Sequence, residues 1–175
     1  MTQTPPPASR RSARAAAAPS ARIAPVVRPL AHTDFFAWVE QYAAFLERIG
    51  ADFRDELALR TWQELGVSDG APRTAGLECI VADRAGSLAG FAISAPTFSA
   101  FDGARRLDVM ALSVTRLADD GAALEALLGA LHDRARTLGA PQLRWLVPAN
   151  AIDMVHLSGQ VGEVTPFAVY RMPVQ

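Results

Sequence analysis

Apolar residues recur along this chain with two different periods, and the alternation between them sets out the elements. From Phe35 to Ile49 the positions Phe35, Trp38, Val39, Tyr42, Phe45, Leu46 and Ile49 fall at steps of three and four, the stripe of an amphipathic helix. Thr33 or Asp34 can cap its start, and Gly50 ends it. A shorter helix is predicted over Asp55 to Leu65, with Leu57, Thr61, Trp62 and Leu65 on one face, followed by a Gly, Ser, Asp and Pro-containing loop from Gly66 to Thr74. The clearest helical stripe is Leu124, Leu127, Leu128, Leu131, Ala135 and Leu138, between Asp119-Asp120 and Gly139.

Strand signals fill the intervals. Ala24 to Leu30 reads as holding a short first strand that Pro29 confines to an edge or an end. Leu77 to Ala82, the turn Asp83-Arg84-Ala85-Gly86 and Ser87 to Ser94 form a hairpin signal, and Arg105 to Val114 follows as a third consecutive strand. Leu143 to Val147 is a buried strand, Met154 to Leu157 a short helical or irregular piece, Gly159 to Glu163 a loop, and Pro166 to Met172 a closing strand. The order β-α-α-β-β-β-α-β-α-β predicts an α/β (α+β) fold: a mixed, mostly antiparallel sheet with helices on both faces.

Composition then divides the chain. Residues 1–25 are Pro, Ala, Ser and Arg with almost no large apolar side chain, so they cannot bury enough surface to offset the entropy of ordering, and a disordered tail is expected there. Residues 26–175 are expected to form one domain; with 175 residues in all, half of them apolar, the chain can build a real core. A formal net charge of −1, with acids and arginines interspersed beyond position 30, gives the domain no basic surface to track phosphates. No apolar run approaches the roughly 20 residues that cross a bilayer. Arg10, Arg11, Arg14 and Arg22 lack the apolar core of an export signal beside them, and a cytoplasmic, bacterial protein is expected.

Candidate chemistry is sparse. Cys79 is the one cysteine and lies in an apolar strand signal, so neither a disulfide nor a thiolate metal site is expected. All seventeen basic residues are arginine, which excludes a lysine Schiff base. Trp38, Tyr42 and Trp62 offer aromatic faces to an amine cation, or plain core.

The element order over about Val26 to Pro173 resembles the GNAT acetyltransferases, and local matches sharpen it: Phe36-Ala37-Trp38 with Tyr42 and Phe45, Thr61-Trp62, Leu112-Ser113-Val114, Arg134-Ala135-Arg136, Leu143-Arg144-Trp145 and Asn150. These are similar to a branch that acetylates small amines. The resemblance implies acetyl-CoA as acyl donor, its pantetheine arm against Leu112 and Val114 and near Asn150, its pyrophosphate at the start of the long helix, and an amine acceptor near Trp38 and Tyr42. A homodimer would be compatible with it.

The resemblance also locates departures. Ungapped counting puts the family's Arg-Gly-x-Gly-x-Gly/Ala phosphate loop on Asp119-Asp120-Gly121-Ala122-Ala123-Leu124, replacing the arginine by an aspartate and a small residue by Leu124. A carboxylate about 6 Å from a phosphate charge costs on the order of 2–3 kcal/mol at an effective dielectric near 20. Shifting the register by three would make Arg116 the motif arginine and shorten the loop. Both aspartates are equally explained as helix-start residues. The family's acidic pair falls on Met110 and Ala111, leaving Asp108 as a base candidate, and its tyrosine falls on Leu157 or Ser158, leaving His156 as a proton shuttle. The sequence therefore reads as a GNAT-like N-acyltransferase acting on a small amine or, alternatively, as a non-catalytic GNAT-like binding module that has lost coenzyme A. A third reading makes the arginine tail a tether to acidic partners.

Overall fold

The computed structural model describes residues 23–68, 73–115, 121–149, 152–166, 169 and 172, with the backbone alone at 153, 154 and 157. Its elements are β1 (Val26–Pro29), a 3-10 turn at His32–Asp34, α1 (Phe35–Arg48), α2 (Asp55–Leu65), β2 (Glu78–Arg84), β3 (Ser87–Phe98), β4 (Arg105–Val114), α3 (Gly121–Thr137), β5 (Gln142–Trp145) and α4 (Ile152–Val161). The order agrees with the predicted one as far as α4. The expected closing strand falls largely outside the described residues; Pro166, Val169 and Met172, which are described, have no regular structure. The expected tail at residues 1–25 is outside them up to residue 22.

The five strands lie in the order β1-β2-β3-β4-β5, antiparallel except for the parallel pair β4 and β5. β1 is an edge strand and ends at Pro29, which has no N–H to give a neighbour. β2 turns into β3 through Ala85 and Gly86, both with positive φ (52° and 86°), the two-residue turn whose twist suits a hairpin. Asp83 holds that turn by accepting from the Gly86 N–H at 2.7 Å, and Arg28 reaches across from β1 to the same carboxylate. β3 runs four residues beyond its predicted end at Ser94 because Ala95 to Phe98 continue to pair with Asp108 to Arg105 of β4.

Helices cover those two faces. Trp38, Tyr42, Phe45 and Leu46 of α1 and Ala58, Trp62 and Leu65 of α2 pack on Cys79, Val81, Phe91, Ile93 and Ala111. Ala123, Leu127, Leu131 and Ala135 of α3 pack on the other face, against Ala82, Ala92, Leu107, Val109 and Val114. The Arg134 guanidinium of α3 also holds Glu78 of β2 through two hydrogen bonds. Full burial of Leu127 and Leu131 stabilises the fold by about 2 kcal/mol each relative to exposure.

Candidate active site: the cleft where β4 and β5 part

β4 and β5 pair only from Arg106↔Gln142 to Val109↔Trp145, although β4 continues to Val114. β5 stops two residues short of its predicted end, and the two chains diverge from there. On its other side β4 stays paired with β3 throughout, with one irregularity: Ser94 faces Val109 and Ile93 faces Ala111, so Met110 has no partner. That extra residue is a β-bulge, and it reverses the side-chain parity of the strand. Leu107 and Val109 face α3 before it; Ala111 faces α1 after it, and Val114 faces α3 again.

The register also decides where the backbone points. The Thr115 N–H donates to Ala89 O at 2.9 Å, and Ser113 O lies 2.6 Å from where a Cβ on Gly90 would sit, so Thr115 and Ser113 direct their polar groups toward β3. Alternation then turns the N–H and C=O of Leu112 and Val114 the other way, into the opening left by β5. Of the three residues named for the donor on sequence grounds, Leu112 and Val114 thus turn their backbone to the cleft, and Asn150 lies outside the described residues.

The cleft holds a cavity of about 40 Å³ that opens to solvent. Leu124 and Leu128 of α3, Leu146 and Val147 after β5, and Val161 of α4 make its walls, and Phe45 and Arg48 of α1 reach its edge. Trp145 is fixed there by donating from Nε1 to Ser158 Oγ at 2.9 Å, while Gly162 leaves room for its ring: a Cβ at that position would come within 2.7 Å of the indole. Arg48 donates to Val114 O at 3.4 Å. Sequence reasoning passed over Arg48, yet it carried a signal: it has no acid three or four residues earlier, those positions being Phe45 and Ala44.

The proposed acid–base residues lie elsewhere. Asp108 is on the paired part of β4 and accepts from Arg144 Nε at 3.0 Å and Nη2 at 2.6 Å, an ion pair that raises the arginine pKa above its ordinary value. Both its oxygens are engaged by the Arg144 guanidinium, and it is not among the residues lining the cleft. His156 is on the exposed side of α4 with Gln160 at 3.4 Å, not among the cleft walls. Trp38 and Tyr42 correct the amine-pocket expectation: Trp38 has no exposed surface, and the two rings stack at 4.8 Å between α1, α2 and Phe91. Helical spacing had placed them on the apolar face of α1, and that face meets the sheet. Cys79 is buried, and burial pushes its thiol pKa far up, away from nucleophilic use. No group of three or more His, Cys, Asp or Glu suited to a metal occurs among the described residues.

No family model matches the chain, and no curated protein matches it by sequence. Solved structures do match. A ribosomal-protein-alanine N-acetyltransferase from Brucella melitensis aligns at TM-score 0.69 and 18% identity, covering 86% of this chain and 100% of its own. An aminoglycoside N-acetyltransferase in complex with CoA aligns at 0.69 and 14%, covering 90% and 99%. A Bacillus halodurans protein described as a transcriptional regulator aligns at 0.68 and 16%, covering 86% and 99%. The chain has a GNAT-type fold.

Against the GNAT pattern, the expected phosphate loop is partly helix. Gly121 to Leu124 form the first turn of α3, whose amide N–H groups lack carbonyl partners within the helix. Ala123 is buried, and Leu124 turns into the cleft rather than leaving the open approach a small residue would give. Arg116, Asp119, Asp120 and Asn150 lie outside the described residues. The outward backbone of Leu112 and Val114, the apolar walls and the Arg48 cation fit an acyl thioester carrying an anionic handle; Leu124 narrows the way to the helix start. No helix among the described residues is long and apolar enough to cross a membrane.

Proposed function

We propose that this protein is a GNAT-type N-acyltransferase that moves an acyl group, acetyl in the simplest case, from a coenzyme A thioester to a small amine. The observation that supports it most is the parting of β4 and β5 after Val109 and Trp145, which frees the Leu112 and Val114 backbone along an apolar cleft. An extended amide-bearing arm can add there as a strand would, its N–H and C=O groups pairing with those two residues. The bulge at Met110 interrupts regular pairing at the inner end of the cleft, and a backbone N–H turned out of such a bulge would polarise the thioester carbonyl and hold the tetrahedral oxyanion. Neighbouring proteins named for aminoglycoside or protein-alanine acetylation suggest the amine class.

One observation favours a second reading, a binding module without catalysis. Among the described residues that line the cleft there is no carboxylate, imidazole, thiol or phenol. An ammonium cannot attack a thioester, so an active enzyme here must take the proton through water, accept the amine already neutral, or draw its base from outside the described residues. The two readings separate on one experiment: the full chain is incubated with acetyl-CoA and a panel of primary amines, with free thiol release followed alongside calorimetric titration of acetyl-CoA. Amine-dependent thiol release supports the enzyme, binding without release supports the module, and absence of binding contradicts the donor site altogether.

A further inference from the structure

We propose that Arg48, at the C-terminal end of α1, is the anion-recognition residue of the cleft and takes over the charge role that a loop arginine would fill for the donor's phosphates. This rests on the acyl-coenzyme A reading above. Arg48 is the one charged residue among the described residues lining an otherwise apolar cleft. It has no carboxylate within ion-pair distance among those residues; its hydrogen bond is the long one, 3.4 Å, to the carbonyl of Val114. A half-buried guanidinium satisfied by one weak acceptor keeps most of its five N–H donors for something else.

Position selects the anion. Val114 is the last residue of β4, the end from which the chain runs on to the start of α3 at Gly121. Arg48 therefore stands beside the outer end of the freed backbone, away from the Met110 bulge where an acyl group would lie. A group bound along Leu112 and Val114 with its acyl end at Met110 carries its far end to Arg48. In an acyl-coenzyme A that far end is the pyrophosphate, and an arginine fork suits phosphate oxygens. α1 is held firmly enough to place the side chain: Gln41, two turns earlier, donates to Leu88 O and to Thr115 Oγ1, tying the helix to β3 and to the residue after Val114.

The test is calorimetric titration of the full chain, Arg48→Gln and Arg48→Lys with two donors: acetyl-CoA, and S-acetylpantetheine, which keeps the thioester and amide arm but has no phosphate. The inference expects Arg48→Gln to weaken acetyl-CoA by about tenfold or more, to leave S-acetylpantetheine within about twofold, and to flatten the salt dependence of acetyl-CoA binding; Arg48→Lys recovers part of the loss. Thermal melting of both variants separates loss of folding from loss of contact, and Arg48→Lys with the salt series carries the test alone if the glutamine variant does not fold. Unchanged acetyl-CoA affinity in a folded Arg48→Gln, or an equal loss for both ligands, overturns the inference while leaving the donor site intact. If the unaltered chain binds neither ligand, the donor reading and this inference fall together.

Discussion

Adding one methyl group at Gly90 should disturb both the fold and the cleft, because of how closely β3 and β4 approach there. An ideal Cβ at Gly90 would lie 2.6 Å from Ser113 O, 3.0 Å from Val114 Cγ1 and 3.1 Å from Leu127 Cδ1. A rotamer change can move the Val114 and Leu127 methyls, but the Ser113 oxygen is backbone and engaged toward β3, so the strands themselves must separate by several tenths of an ångström. Overpacking of this kind costs about 1–3 kcal/mol, the immovable contact being the backbone oxygen of Ser113. For a domain near 150 residues that is a melting shift of roughly 3–10 °C. Gly90→Ala measured by urea denaturation should show a lower midpoint with an unchanged slope. Because the displaced segment is the one whose far side offers Leu112 and Val114 to the cleft, ligand affinity should fall as well. A variant within about 0.5 kcal/mol of the parent would refute the claimed closeness of β3 and β4.

Further outcomes follow from the same contacts. Asp34 is buried and accepts from Arg28 Nη1 at 2.6 Å, Arg28 Nη2 at 2.9 Å and the Ala31 N–H at 2.8 Å; Asp34→Asn should cost about 1–3 kcal/mol in denaturant unfolding. The Arg28 hydrogen bond holds the Asp34 pKa below its ordinary value, and the Gly86 N–H and Arg28 do the same for Asp83. The stability they contribute is therefore full above the unfolded carboxylate pKa near 4 and lost as pH falls through the lower folded values; unfolding curves from pH 6 to pH 2 should show it, more weakly in Asp34→Asn. Leu127→Ala, at a site with no exposed surface, should cost about 2–5 kcal/mol by the same assay. The Cys79 thiol should resist an aromatic disulfide reagent in the folded chain and react at once in denaturant; fast reaction of the native protein would contradict its burial.

Most of the fold was legible because each element keeps one period and clear ends. Asp55–Leu65 and Arg105–Val114 fall where periodicity put them, and the hairpin turns within the expected Asp83 to Gly86 segment, at Ala85 and Gly86. The site was half legible. Leu112 and Val114 came from matched residues at the end of β4, but the bulge at Met110 that reverses the strand's faces has no mark in a run of apolar residues. Trp38 and Tyr42 misled because an aromatic stripe reads alike whether it meets a sheet or a ligand. Asp108 misled because its partner, Arg144, is 36 residues away on a strand that pairs in parallel. Arg48 escaped notice because an arginine ending a helix is ordinary, and only the fold brings it to Val114.

The central claim is that Leu112 and Val114 turn their backbone into the cleft and that an acyl thioester pairs with it. Residue-resolved amide exchange with and without acetyl-CoA tests this directly. In the free protein the Ser113 and Thr115 amides, bonded toward β3, should exchange slowly while those of Leu112 and Val114 exchange faster, and acetyl-CoA should slow the latter two selectively. Binding that leaves Leu112 and Val114 unprotected, or equal protection of all four amides before any ligand is added, would contradict the account.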